Sequence, residues 1–95
     1  MRDYELIFIV NPEVDDEEVV TVVDKVGNFV SEKGGSVVEV NQWGRKKLAY
    51  PIERFEEGNY IFVRLKLEPM VTKELEENLR LSEKVLRHLL IKAGE

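Results

Sequence analysis

Trp43, Gly44, Arg45, Lys46 and Lys47 open the segment WGRKKLAYPI, residues 43–52, and are the residues of this chain best equipped to meet a ligand. Three consecutive cations attract phosphates, and a planar indole beside them can stack on an unpaired base. A second basic block lies near the C-terminus, where Arg80, Lys84, Arg87 and Lys92 face only Glu83 and Glu95 within residues 80–95. Two separated cationic edges could track two stretches of a nucleic-acid backbone. Taken alone, residues 43–47 fit a solvated basic turn with a half-buried Trp43 equally well.

The concentration of positive charge runs against the composition. The chain carries 14 Lys+Arg against 19 Asp+Glu, a formal net charge of -5. Residues 1–35 hold three cations and nine anions, and residues 36–54 hold four cations and two anions. The distribution therefore argues for a local cationic site on an otherwise acidic surface. No cysteine is present, which excludes thiolate metal sites, disulfides and cysteine nucleophiles and is compatible with a reducing compartment. Asp3 and Glu5 interrupt the apolar N-terminus, so it reads as neither a signal peptide nor a membrane span. A cytoplasmic protein is expected, with no membrane partner. At 95 residues, 43% hydrophobic and 35% charged, the chain suits a single domain over residues 1–95.

Strands and helices must position those cations. Residues 4–10, YELIFIV, read as a strand ending at Asn11-Pro12. Asp15, Asp16 and Glu18 then start a helix, whose buried stripe is Val19, Val22, Val23, Val26, Phe29 and Val30. Gly34-Gly35 ends it. Residues 36–49 are extended again, with a bend or bulge at Gly44, and Tyr50-Pro51 is expected to stop the ladder. FEEGN, residues 55–59, reads as a turn, and YIFVRLKL, residues 60–67, as the clearest strand. Pro69 opens a second helix with Val71, Leu75 and Leu79 on its apolar face and Glu74, Glu76 and Glu77 on its solvated one. VLRHLLIK, residues 85–92, is the last strand, which makes His88 a packed or half-exposed strand residue rather than a metal ligand.

The order βαββαβ, with right-handed crossovers, predicts an α+β ferredoxin-like sandwich: a four-stranded antiparallel sheet with both helices on one face. Alternation along residues 60–67 sends Ile61, Val63, Leu65 and Leu67 to the helices and Tyr60, Phe62, Arg64 and Lys66 to the other side. Along residues 4–10 it sends Leu6, Phe8 and Val10 inward, leaving Ile7 and Ile9 outward. An open face carrying Ile7, Ile9, Tyr60 and Phe62 beside cations reads as a docking surface. The other reading, the less favoured of the two, is that flanking loops or the chain termini cover those residues.

Several chemistries are absent. No glycine-rich phosphate loop, carboxylate pair or nucleophile–base spacing is visible, so an enzyme is not expected. An RNA-recognition motif needs its stacking aromatics in a phase that residues 57–64 do not supply, although Gly58 fits. An acylphosphatase-like phosphate cradle after the first strand is excluded by Asn11-Pro12-Glu13, whose carboxylate repels phosphate.

Four segments in order, MRDYELIFIVNP, WGRKKLAYPI, EEGNYIFVRLKL and LRLSEKVLRHLLIK, closely resemble the family of bacterial ribosomal small-subunit protein six over nearly the whole chain. The resemblance implies a non-enzymatic component of the cytoplasmic ribosome, without cofactor, metal or small-molecule substrate. It further implies a protein that pairs with small-subunit protein eighteen and binds the central domain of the small-subunit ribosomal RNA. By the same resemblance, RNA contacts fall to Arg2, Tyr4, Trp43, Arg45, Lys46, Arg87 and Lys92, while Lys47 occupies a variable position. Partner contacts are expected at Ile7, Ile9, Tyr50, Tyr60 and Phe62. The alternative from another class is a protein-interaction or small-ligand regulatory module on the same fold, acting through Ile7, Ile9 and Phe62.

Overall fold

The computed structural model describes residues 1–93; Gly94 and Glu95, the latter part of the C-terminal charge block, lie outside the described residues. Along the chain run β1 (Arg2–Val10), α1 (Asp16–Glu32), β2 (Ser36–Ile52), β3 (Phe55–Leu67), α2 (Thr72–Leu81) and β4 (Val85–Lys92). A 3-10 turn over Pro69–Val71 leads into α2. The strands form one antiparallel sheet in the order β2-β3-β1-β4, which is the expected ferredoxin-like arrangement. β2 and β4 are its two edges.

α1 shows why periodicity outweighs propensity. Asp15 caps it by accepting a 2.9 Å bond from the Glu18 amide, a contact of about 1 kcal/mol. Its valines each cost at most about 0.7 kcal/mol in helix propensity. Burying Val19, Val22, Val26 and Val30 returns roughly 1.5–3 kcal/mol apiece, so packing decides the conformation. Gly34, at φ 85°, ends the helix, and the Gly35 amide reaches back 2.9 Å to the Val30 carbonyl.

All of the helix-side core lies between the sheet and the two helices. It joins Leu6, Phe8 and Val10 of β1 with Ile61, Val63, Leu65 and Leu67 of β3, beneath the α1 valines and Leu75 and Leu79 of α2. The alternation read along residues 60–67 is correct at each of these four positions. His88 packs on the same side, with Nε2 3.1 Å from a Glu76 carboxylate oxygen. The α2 glutamates are thus more than a solvated face: Glu74 pairs with Lys33 at 2.9 Å and Glu77 with Arg80 at 3.2 Å. Such exposed pairs contribute little to stability.

The β2–β3 hairpin is longer than expected. Neither Tyr50-Pro51 nor residues 55–59 interrupts it: β2 continues to Ile52 and β3 begins at Phe55, with only Glu53 and Arg54 between them. Glu53 takes φ 57°, a left-handed conformation that costs a non-glycine residue about 1–2 kcal/mol. Pro51 is tolerated because the register shifts between Lys47 and Ile52. Leu48, Ala49, Tyr50 and Pro51 there bulge opposite the single residue Glu56, where ladder bonds are not required of each amide.

Candidate nucleic-acid and partner interface

Cross-strand register arranges the face away from the helices in rows. Trp43, Phe62, Ile7 and Leu89 form an apolar row from edge to edge, since Ile7 pairs with both Phe62 and Leu89. Trp43 joins it by stacking on Phe62, with ring centroids 5.7 Å apart and planes within 5°. The sequence device is a bulge: Gln42 pairs with Ile61 and Gly44 with Tyr60, so Trp43 is the extra residue, and Gly44 absorbs it at φ 85°. The next row is Glu39, Arg64, Glu5 and Ile91, in which Arg64 bridges Glu39 at 3.3 Å and Glu5 at 3.4 Å. Leu89 and Ile91 remain 55% and 43% exposed, which completes an apolar patch open to solvent.

The cations of residues 45–47 lie on the β2 edge but do not point together. Lys46 turns to the open face, its Nζ 5.8 Å from the Trp43 ring centroid. Arg45 donates from Nη2 to the Pro12 carbonyl at 2.7 Å, on the loop after β1. Trp43 itself is 46% exposed at this edge. A phosphate chain running along the edge can therefore be met from both sides of the strand.

Beyond Lys46 the hairpin folds over the end of β1. Ile9 is only 9% exposed, so its expected place on the open docking face is corrected: the hairpin covers it at Gly58, and Leu48 and Phe55 of the hairpin are buried as well. None of these three belongs to the helix-side core. Gly58 permits the approach, because a Cβ there would stand 2.2 Å from Ile9 Cγ2. Ile9 is β-branched and cannot swing aside cheaply. Gly58→Ala is therefore expected to cost about 1–3 kcal/mol in urea unfolding. In an Ile9→Ala background the same glycine substitution should cost less, since the obstructing methyl is gone; a Gly58→Ala chain as stable as the parent would contradict this packing.

Other expected site residues separate. Tyr4 is buried in the helix-side core, because it shares the phase of Leu6 and Phe8, and this removes its ring from the set of surface RNA contacts. Arg2 and Lys92 pair with Leu67 and Tyr4 respectively, both core residues, which places them at one end of the sheet on the helix-facing phase. Arg87 pairs with Ile9 and projects from the open face. The single C-terminal cationic edge expected from sequence is thus divided, with Arg87 and Lys92 about 17 Å apart along the strand. Tyr60 and Phe62 are partly buried on the open face, and Tyr50 is exposed. Leu89 and Ile91 were missed, although alternation from Arg87 would have found them. A groove of about 630 Å³ between α1 and α2, lined by Val26, Phe29 and Leu79 among others, lies away from all of these residues.

Residues 3–92 match the family described as ribosomal protein S6. The chain belongs to the ribosomal protein S6 family. It is 37% identical over 95 residues to small ribosomal subunit protein bS6 of Desulforamulus reducens, covering 100% of both chains. To the bS6 protein of Clostridioides difficile it is 43% identical over 93 residues, covering 98% of this chain and 100% of the relative. Its fold matches the crystal structure of 30S ribosomal protein S6 from Thermotoga maritima with a TM-score of 0.90 at 30% identity, over 96% of this chain and 86% of that one. As an S6 protein it is a component of the small ribosomal subunit in the cytoplasm and a part of the translation machinery, not an enzyme.

Proposed function

We propose that this S6 protein binds the central domain of small-subunit ribosomal RNA together with small-subunit protein eighteen, through two adjoining surfaces. The observation that carries this reading is their adjacency: a cationic strand edge meets a solvent-open apolar row at Trp43. The edge, with Trp43, Arg45 and Lys46, suits a phosphate backbone and an unpaired base. Arg2 and Lys92, at the far end of the sheet, would meet a second backbone stretch. The row, with Ile7, Phe62 and neighbouring Tyr60 and Tyr50, suits a protein. A chain of net charge -5 is a poor phosphate binder alone, so the partner supplies most of the positive charge.

The test is RNA binding by the protein pair across a salt series. Arg45→Ala together with Lys46→Ala is expected to weaken binding about tenfold and to lower the salt slope by about 0.7–0.9 for each phosphate that is no longer neutralised. Both sites are exposed, so the domain should remain folded. Unchanged binding in moderate salt would contradict the reading. So would isolated chain that binds this RNA as tightly as the pair does.

A further inference from the structure

β2 and β4 are opposite edges of the sheet, about 14 Å apart across three strand spacings. Yet Arg87 of β4 donates from Nη1 to the Tyr50 hydroxyl of β2 at 2.6 Å, and its guanidinium carbon lies 5.6 Å from the Tyr50 ring centroid. Two residues on opposite edges touch only because the hairpin arches over β3 and β1. The bulge at residues 48–51 supplies the bend and turns Tyr50 across the sheet. Leu48 and Phe55 of the hairpin are buried, and so is Ile9 of β1, which the hairpin approaches at Gly58. On the near side, Arg45 to Pro12 at 2.7 Å and Arg54 to Glu13 at 3.2 Å tie the hairpin to the loop after β1. Tyr50 to Arg87 is the tie to β4.

We propose that Arg87 is a positioning residue of the RNA-binding hairpin: by latching Tyr50 across the sheet it holds the arch closed, and so fixes Trp43 and Lys46 for RNA, rather than contacting a phosphate itself. This rests on the RNA-binding reading above and deepens it. The guanidinium's use explains the assignment. One Nη donates to the hydroxyl and the guanidinium lies within cation–π reach of the ring, an arrangement that orients a neighbour rather than leaving the fork free for phosphate. A chain with the latch undone still carries every RNA-binding side chain, but spends part of its time with the arch open, and apparent affinity falls by the closed fraction.

The two roles separate experimentally. In the free protein, Arg87→Ala and Tyr50→Phe are each expected to speed amide exchange in residues 46–57 roughly threefold to tenfold, while β1 and the core of β3 keep their protection. In the pair with small-subunit protein eighteen, each variant should weaken binding to the central-domain RNA by a similar factor with the salt slope unchanged. The double variant should be no worse than Arg87→Ala alone, since both remove one interaction. Binding of the variants to the partner, measured without RNA, serves as the control for Tyr50. Unaltered hairpin exchange overturns the latch. A slope lowered by about 0.7–0.9 in Arg87→Ala, with Tyr50→Phe neutral, assigns Arg87 to a phosphate and overturns it equally. Failure of the wild-type pair to bind this RNA at all would instead refute the RNA reading, leaving the exchange measurement to judge the latch by itself.

Discussion

Phe8→Ala is expected to lower the free energy of unfolding by about 3–5 kcal/mol, the range for removing a large aromatic from a core that cannot collapse around the gap. Phe8 sits on a central strand, flanked in register by Ile61 on β3 and His88 on β4 and fully buried beneath the helices. Domains of this size are stable by roughly 5–15 kcal/mol, so the variant keeps a small margin or none. Urea unfolding should show a lower midpoint with the same slope, because the surface exposed on unfolding is nearly unchanged. A loss below about 1 kcal/mol would contradict tight packing around β1. The neighbours Ile7 and Ile9 point the other way, so partner binding should fall only in proportion to the unfolded fraction.

Gly35→Ala is expected to be the most damaging glycine substitution. A Cβ at this position would stand 2.3 Å from the Lys66 carbonyl oxygen and 3.0 Å from both Leu67 Cδ1 and Val30 Cγ1. The nearest obstacle is backbone of an interior strand, near the end of β3, so relief requires moving β3 or the end of α1. The expected cost is about 1–3 kcal/mol, at the upper end because backbone must shift. For a domain of this length that is a fall in melting temperature of about 4–8 °C per kcal/mol. Gly34→Ala is the instructive comparison: its φ of 85° is unfavourable, but nothing lies within 4 Å of the added carbon. Its loss should stay near 1–2 kcal/mol, as expected for backbone strain alone. Thermal melts ranking Gly34→Ala below Gly35→Ala would contradict the close approach of helix end and strand.

The fold is readable because both periodicities in the chain are strong. The α1 valines at three- and four-residue spacing and the alternation of residues 60–67 each specify a buried side, and β3 and α1 bury those sides. Asp15 and the Gly34-Gly35 pair bound the first helix for local reasons that sequence displays directly. Residues 48–59 mislead because proline and glycine usually mark the ends of strands. Here Pro51 falls in a bulge, and Gly58 exists for the contact with Ile9, a tertiary reason invisible to a local rule. The same contact explains the error at Ile9: alternation assigns a side of the sheet but cannot reveal that another part of the chain covers it. Tyr4 enters the RNA set by resemblance, although its phase with Leu6 and Phe8 already places it among buried residues. The cationic cluster is legible as composition, and alternation already sends Arg45 and Lys46 to opposite sides; their partners, the Pro12 carbonyl and the Trp43 ring, require the strand's actual course.

Arg64 lies between two carboxylates, Glu5 and Glu39, in the row beside the exposed aliphatic side chains. One positive group there is outnumbered two to one, so anything settling on the neighbouring oily strip meets a faintly negative margin. A visitor bearing lysine or arginine next to its own apolar anchor is welcomed at that margin. One bearing aspartate is turned away, at a cost that grows as water is squeezed out. Discrimination among visitors would in this way reside in Glu5 and Glu39, a pair of acids beside the oily strip rather than in it.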